Sequence, residues 1–275
     1  MIAAAPSLIA QVTDRVRTSA CCQTQGHRWY VSCQAMNTSI RIVFFTSFPV
    51  LARDFERAAI DWIGRFEARY SRFLPDSIVG RINATAGGKW LEIDEEAETI
   101  FAVCDRMHAA TSGVFDPASL PLLRIWNWKA DPPVLPNESQ IREALRLSGW
   151  KSVQRRPRAI RLPEVGMGID LGGIGKEFAA DHLVHMARDR GIDGVMVDIG
   201  GDLRVAGRPP FKDGWYIGLE EPGKAGECWT ALHLSDCAIA TSGDYLRSFT
   251  HDGRRFGHIL DPRTGRPVNN GCQAV

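Results

Sequence analysis

The chain has 275 residues, of which 44% are hydrophobic and 24% charged, and a formal net charge of +1. That length buries an ample core, so the sequence reads as an ordinary globular protein. Near-neutral charge without a basic run excludes an electrostatic nucleic-acid binder, and no apolar stretch is long enough to make a transmembrane segment.

Residues 1–28 read as an irregular arm and 29–275 as a single domain. Within the arm, Thr18-Ser-Ala-Cys21 faintly resembles a lipoprotein cleavage box, but Asp14, Arg15 and Arg17 stand where a signal peptide is apolar. The seven cysteines include the adjacent pair Cys21-Cys22 and no C-x-x-C spacing. An odd count of this kind suits neither a disulfide framework nor a zinc site, and points to a reducing, cytoplasmic setting. A periplasmic or membrane-anchored setting is the alternative if the true N-terminus differs.

Residues 29–45 read as strand, interrupted around Met36-Asn37-Thr38. From Pro49, the residues Leu51, Phe55, Ala59, Trp62, Ile63, Phe66 and Tyr70 recur at helical spacing, and the helix ends before Ser71-Arg-Phe-Leu-Pro75. Asp94 caps a second helix that Gly113 stops. Asp131-Pro132-Pro133 marks a turn, and Asn137 with Gln140 forms a capping box for a short helix running to Gly149. Strand signals follow at 159–162, 195–205, 215–219 and 229–234. One further helix runs through Lys176, Ala179, Leu183, Met186 and Ala187 to Gly191. This irregular alternation, without repeats or a regular βαβ pattern, predicts an α+β fold with a mixed, largely antiparallel sheet core and packed helices.

The run Gly168-Ile-Asp170-Leu-Gly172-Gly173-Ile-Gly175-Lys176 combines an acid, clustered glycines and a lysine at a helix start. Glycines let backbone approach a ligand closely, and a helix N-terminus offers N–H groups to anionic oxygens, which suits a phosphorylated ligand. It is neither a P-loop, since Glu177 follows the lysine, nor a dinucleotide fingerprint, since Phe178 stands at the last glycine. A plain strand-to-helix turn is the competing reading. Three later segments add chemistry: Val197-Asp198-Ile-Gly200-Gly201-Asp202, Ala240-Thr-Ser242-Gly-Asp244-Tyr245, and Phe256-Gly-His258-Ile-Leu260-Asp261-Pro-Arg-Thr-Gly265. Taken singly, Asp261 to Gly265 is a turn, and a lone histidine such as His258 is more often structural than catalytic.

Their order carries more. Met36-Asn-Thr38, Tyr70-Ser-Arg-Phe73, Gly113-Val114-Phe115-Asp116-Pro117, the Asp170 to Lys176 run, Gly200-Gly201-Asp202, the Ser242 segment and His258-Ile-Leu260-Asp261-Pro262 follow one another. This set resembles the ApbE-type FAD:protein FMN transferases over about residues 30–270. The resemblance implies an ApbE/T-fold-like domain that moves FMN from FAD to a threonine or serine of a target flavoprotein. Magnesium assists and AMP is released. It implies His258 as base, and Asp170 and Lys176 as FAD contacts. Met36, Phe73, Val114, Phe115 and Asp116 fall on the flavin or adenine side, and Leu260 makes a backbone contact. Asp181 and Ser242 support the pocket, and the Gly173 carbonyl ligates magnesium. FAD pyrophosphatase activity and FAD binding without chemistry are the alternatives.

Three departures stand out. Phe73 replaces a usual tyrosine, and Asn37 replaces a glycine. Family members also continue past the point matching Val275 into an A-D-A-x-x-T segment that supplies magnesium ligands. The resemblance therefore implies that the metal ligands beyond Gly173 lie outside this sequence.

Overall fold

The computed structural model describes residues 7–127, 130, 134–210, 212–221, 224, 226–243, 248–272 and 274–275. In chain order, α1 (Leu8–Ser19), β1 (Cys21–Gln25), β2 (Arg28–Ala35), β3 (Thr38–Phe45) and α2 (Pro49–Tyr70) come first. Then follow α3 (Ile78–Ala84), β4 (Leu91–Glu92), α4 (Glu95–Ala110), α5 (Leu120–Ile125), α6 (Glu138–Arg146), β5 (Gln154–Arg156) and β6 (Ala159–Arg161). Next are α7 (Gly175–Arg188), β7 (Val195–Ile199), β8 (Asp202–Ala206), β9 (Trp215–Glu220), β10 (Cys228–Leu234) and β11 (Ala238–Ile239). The hairpins β12 (Ser248–His251) with β13 (Arg254–Gly257), and β14 (Leu260–Asp261) with β15 (Arg266–Pro267), complete the chain.

These elements sort into two compact units: Met1–Tyr70 with Gly175–Thr241, and Ser71–Ile174 with Ser242–Val275. Every strand pairing among the described residues is antiparallel. The α+β architecture with a largely antiparallel core is therefore as the sequence predicts.

The first unit is a six-stranded sheet of order β1-β2-β3-β7-β8-β11. Alternation in β3 sends Ile40, Ile42 and Phe44 to one face, where all three are fully buried. Phe44 meets Phe55 of α2 edge-on at 4.9 Å between centroids. On the other face Val43 joins Val205 and Trp215 in a second cluster, with Ile217 and Leu234 packed against it. Apolar residues on both faces explain why 195–205 reads as near-continuous strand; a two-residue turn at Gly200-Gly201 divides it into β7 and β8.

The irregular arm is a correction: residues 8–19 are helical and 21–25 are a strand. Ser7 caps α1 by accepting from the Ala10 amide at 3.2 Å, and Val12, Thr13 and Val16 are buried. Gly64 lets α1 approach α2, since a Cβ there would lie 2.5 Å from Thr13 Cα. The buried stripe is only three residues wide and is interleaved with charge, so its period is faint in the sequence.

The second unit holds a three-stranded sheet of order β4-β6-β5, the helices α3 to α6, and the two C-terminal hairpins. Asp94 caps α4 through the Ala97 amide at 3.0 Å, and Asn137 with Gln140 forms the expected reciprocal box at α6. That helix ends at Arg146, before Gly149. The turn expected at Asp131-Pro132-Pro133 lies outside the described residues.

Candidate functional site

In the second unit the sequence-predicted residues lie on several connecting segments. The loop after Tyr70 winds tightly over the start of α3. Ser77 Oγ accepts from the Gly80 amide at 2.8 Å and donates to the Ser71 carbonyl at 2.7 Å. Phe73 is left 62% exposed, with the Arg72 guanidinium over its ring at 4.2 Å. A flat, solvent-facing ring backed by a cation is a stacking platform. Arg72 Nε also lies 2.6 Å from an Asp170 carboxylate oxygen, so Phe73 and Asp170 share one partner.

The Asp170 segment belongs to no sheet, yet its backbone is satisfied by side chains. The Asn83 amide brackets Ile169, accepting from its N–H at 2.7 Å and donating to its carbonyl at 3.0 Å. Asp170 donates its own N–H to the Pro117 carbonyl at 2.8 Å, and its Oδ1 accepts from the Gly172 amide at 2.6 Å. Gly173 is exposed, and a Cβ there would sit 3.3 Å from the Phe115 ring. The 114–118 loop thus lies directly beside the Asp170 to Gly173 turn.

Asp116 also organises its own loop. Its carboxylate accepts from the Ala118 amide at 2.8 Å and from the Trp150 amide at 3.1 Å, holding the loop together. His108 Nδ1 donates to the Phe115 carbonyl at 3.0 Å. Val114 is exposed, and its amide donates to the Thr111 carbonyl at 3.1 Å.

His258 is half-buried and lies between β13 and β14, not on a strand. Its position is set by the following turn. Asp261 accepts through its backbone carbonyl from the Gly265 amide at 2.8 Å, and Leu260 pairs with Pro267. The buried Trp126 indole donates to the Gly265 carbonyl at 2.7 Å, which bolts the hairpin to the helical layer. Arg263 donates to the Asp261 carboxylate, holding its pKa below the usual carboxylate range.

A lowered carboxylate pKa stabilises above the unfolded value of about 3.9 and loses that contribution as pH falls through the folded value. Asp261→Asn is therefore expected to lower the melting temperature at pH 6. The gap to wild type should close as pH falls below about 4. A gap that does not change with pH would assign the effect to packing.

Ser242 exchanges both backbone hydrogen bonds with Val275, at 3.0 and 2.8 Å, while Asp244 and Tyr245 of the same motif lie outside the described residues.

The first unit carries the remaining candidates. Lys176 opens α7, and its ammonium pairs with Asp202, whose side chain is buried and also accepts from the Thr241 amide at 3.3 Å. Asp198 is equally buried; it accepts from the Gly201 amide at 2.9 Å and from Arg41. Gly200 has φ +65°, and a Cβ there would overlap Thr38 Oγ1, so only glycine lets this turn close against β3. Asp181 is exposed, 3.3 Å from Arg204 Nε. Met36 and Asn37 form the two-residue β2–β3 turn with φ +52° and +58°. Sequence reasoning passed over Arg72, Asn83 and Glu67. Arg72 was visible only as a spacer inside a motif, and the others depend on contacts distant in sequence.

As to metal, no group of three His, Cys, Asp or Glu side chains that could hold one occurs among the described residues. A single carbonyl at Gly173 does not supply the octahedral oxygen set that magnesium takes. The described donors alone do not fit it. No helix among the described residues is long and apolar enough to cross a membrane.

The ApbE family model matches residues 36–275. The FAD:protein FMN transferase of Treponema pallidum is 31% identical over 222 residues, which cover 73% of this chain and 60% of that protein. The enzyme of the same name from Vibrio cholerae is 27% identical over 260 residues, 92% of this chain and 77% of that one. The crystal structure of the ApbE protein of Thermotoga maritima superposes with a TM-score of 0.81 at 32% identity, covering 90% of this chain and 80% of its own. The match takes in both units and every candidate residue, from Met36 to the His258 turn; the chain belongs to the ApbE family.

Proposed function

We propose that the protein transfers the FMN moiety of FAD to a threonine or serine hydroxyl of a target flavoprotein and releases AMP. The observation that carries this reading is the family match over residues 36–275, with relatives named FAD:protein FMN transferase. The exposed Phe73 ring and the Phe115 edge beside Gly173 support it as surfaces for flat rings. Seven cysteines without a disulfide support a cytoplasmic site of action.

In the proposed reaction the target hydroxyl oxygen bonds to the phosphorus on the FMN side of the pyrophosphate. The bond from that phosphorus to the bridging oxygen breaks, and AMP departs with the electron pair. His258 takes the hydroxyl proton, since imidazole titrates near pH 7 and a neutral hydroxyl is a poor nucleophile. Lys176 and the N-terminal end of α7 meet negative charge on the phosphates. The Gly172-Gly173 backbone permits close approach. Magnesium is the assisting ion in this reading, with the Gly173 carbonyl as one ligand, and would supply positive charge to the phosphates.

Incubation with FAD, magnesium and a flavoprotein acceptor tests the reading. The expected products are protein-bound FMN, seen by in-gel fluorescence, and one AMP per FMN attached. Free FMN with AMP and no labelled protein would make water the nucleophile, as in an FAD pyrophosphatase. Unchanged FAD would leave only a binding protein.

The same reading predicts that FAD binds at least about tenfold more tightly than FMN, because Lys176 and the glycine turn serve the pyrophosphate and adenylate. Flavin fluorescence titration measures both. Equal affinities would place the recognition on the isoalloxazine alone.

A further inference from the structure

The β2–β3 turn has an unusual sequence for its shape. Both central residues have positive φ, a conformation suited to Asn-Gly, yet the first position is Met36. A methionine there carries a Cβ penalty that something else must offset. The Met36 N–H donates to Glu67 Oε2 at 3.0 Å. Glu67 lies near the end of α2, with its side chain only 9% exposed, and Arg15 of α1 reaches the same oxygen at 2.6 Å. A second tie lies alongside: the Gln34 amide donates to Ser19 Oγ at the end of α1, at 2.9 Å. So α1, which precedes the family-matched residues 36–275, is joined to the strand entering the turn and, through Glu67, to the turn itself.

We infer that Glu67, paired with Arg15, is a positioning residue for the FAD site. Its carboxylate fixes the Met36 turn in the left-handed conformation that presents Met36 to the flavin. This rests on the FAD reading above. A backbone amide to a carboxylate is a strong, directional hydrogen bond, and the Arg15 guanidinium compensates the charge that Glu67 brings into the packed interior. Gly64 makes the arrangement possible by letting α1 lie close enough for Arg15 to reach.

The test uses the full chain as wild type, Glu67→Ala, Glu67→Gln, and Glu67→Ala combined with Asn37→Gly. FAD affinity is read by fluorescence titration, and turn geometry by hydrogen exchange at the Met36 amide. Glu67→Ala is expected to weaken FAD binding about tenfold or more, as loss of one charged hydrogen bond implies, and to speed Met36 exchange comparably. Glu67→Gln keeps an acceptor oxygen and should stay within about threefold of wild type. Asn37→Gly relaxes one of the two positive-φ positions and should restore most of the lost affinity, a rescue that a merely structural role does not allow. Wild-type affinity in Glu67→Ala would overturn the inference. So would equal losses in the Ala and Gln variants without rescue by glycine. If wild type itself fails to bind FAD, the functional reading fails, and Met36 exchange alone decides the clamp: unchanged exchange in Glu67→Ala would overturn it.

Discussion

His258→Ala will lower FMN transfer by about 10²–10⁴-fold while the dissociation constant for FAD stays within about threefold of wild type. The size follows from the role. A base that takes a proton only as the new bond forms contributes to the transition state and little to the bound ground state, so kcat falls and affinity does not. The structure supports a localised effect. His258 is half-buried between two short hairpins, and the turn that places it is anchored by Asp261, Gly265 and Trp126. Single-turnover transfer and FAD titration read the rate and the affinity separately. Equal loss of affinity and rate would make His258 a pocket or folding residue.

How much of this was legible beforehand depended on whether the signal was local. Helix α2 and the Asp94 and Asn137 caps showed because their periodicity or pairing spans a few residues. The Met36 turn showed as a break in an apolar run, for the same reason. Helix α1 did not, because its buried stripe is three residues among charges, and what fixes it is Gly64, some fifty positions on. The site divides the same way. Asp170, Gly173, Lys176 and His258 stand out through an ordered set of motifs. Their supports do not: Arg72 bridging Phe73 to Asp170, Asn83 bracketing Ile169, and Glu67 under Met36 are pairings across the fold that no spacing announces. Asp116 is the instructive middle case. Its motif was visible, but only its partners, the Ala118 and Trp150 amides, show that it organises the loop.

Gly80→Ala will destabilise the protein by about 2–3 kcal/mol, although the substitution replaces glycine by the best helix former. Gly80 lies inside α3, where alanine would ordinarily gain about 1 kcal/mol from lower chain entropy. Here a Cβ would overlap the Leu74 carbonyl oxygen and lie 2.7 Å from that of Pro75. Both are backbone atoms, so neither can swing aside as a flexible side chain would. Forcing them apart costs about 1–3 kcal/mol or more as overpacking, and it strains the Ser77 cap, worth about 1 kcal/mol. The clash therefore outweighs the propensity. The displaced loop carries Arg72 and Phe73, so the effect should reach the site: with Arg72 moved from Asp170, FAD affinity should fall along with stability. Calorimetry should show a lowering of the melting temperature by roughly 5–10 °C. Fluorescence titration on the folded variant should show weaker FAD binding at temperatures well below the transition. A variant as stable as wild type would mean that the Ser71–Ser77 loop yields freely. Unchanged FAD affinity in a destabilised variant would detach Phe73 and Arg72 from the flavin.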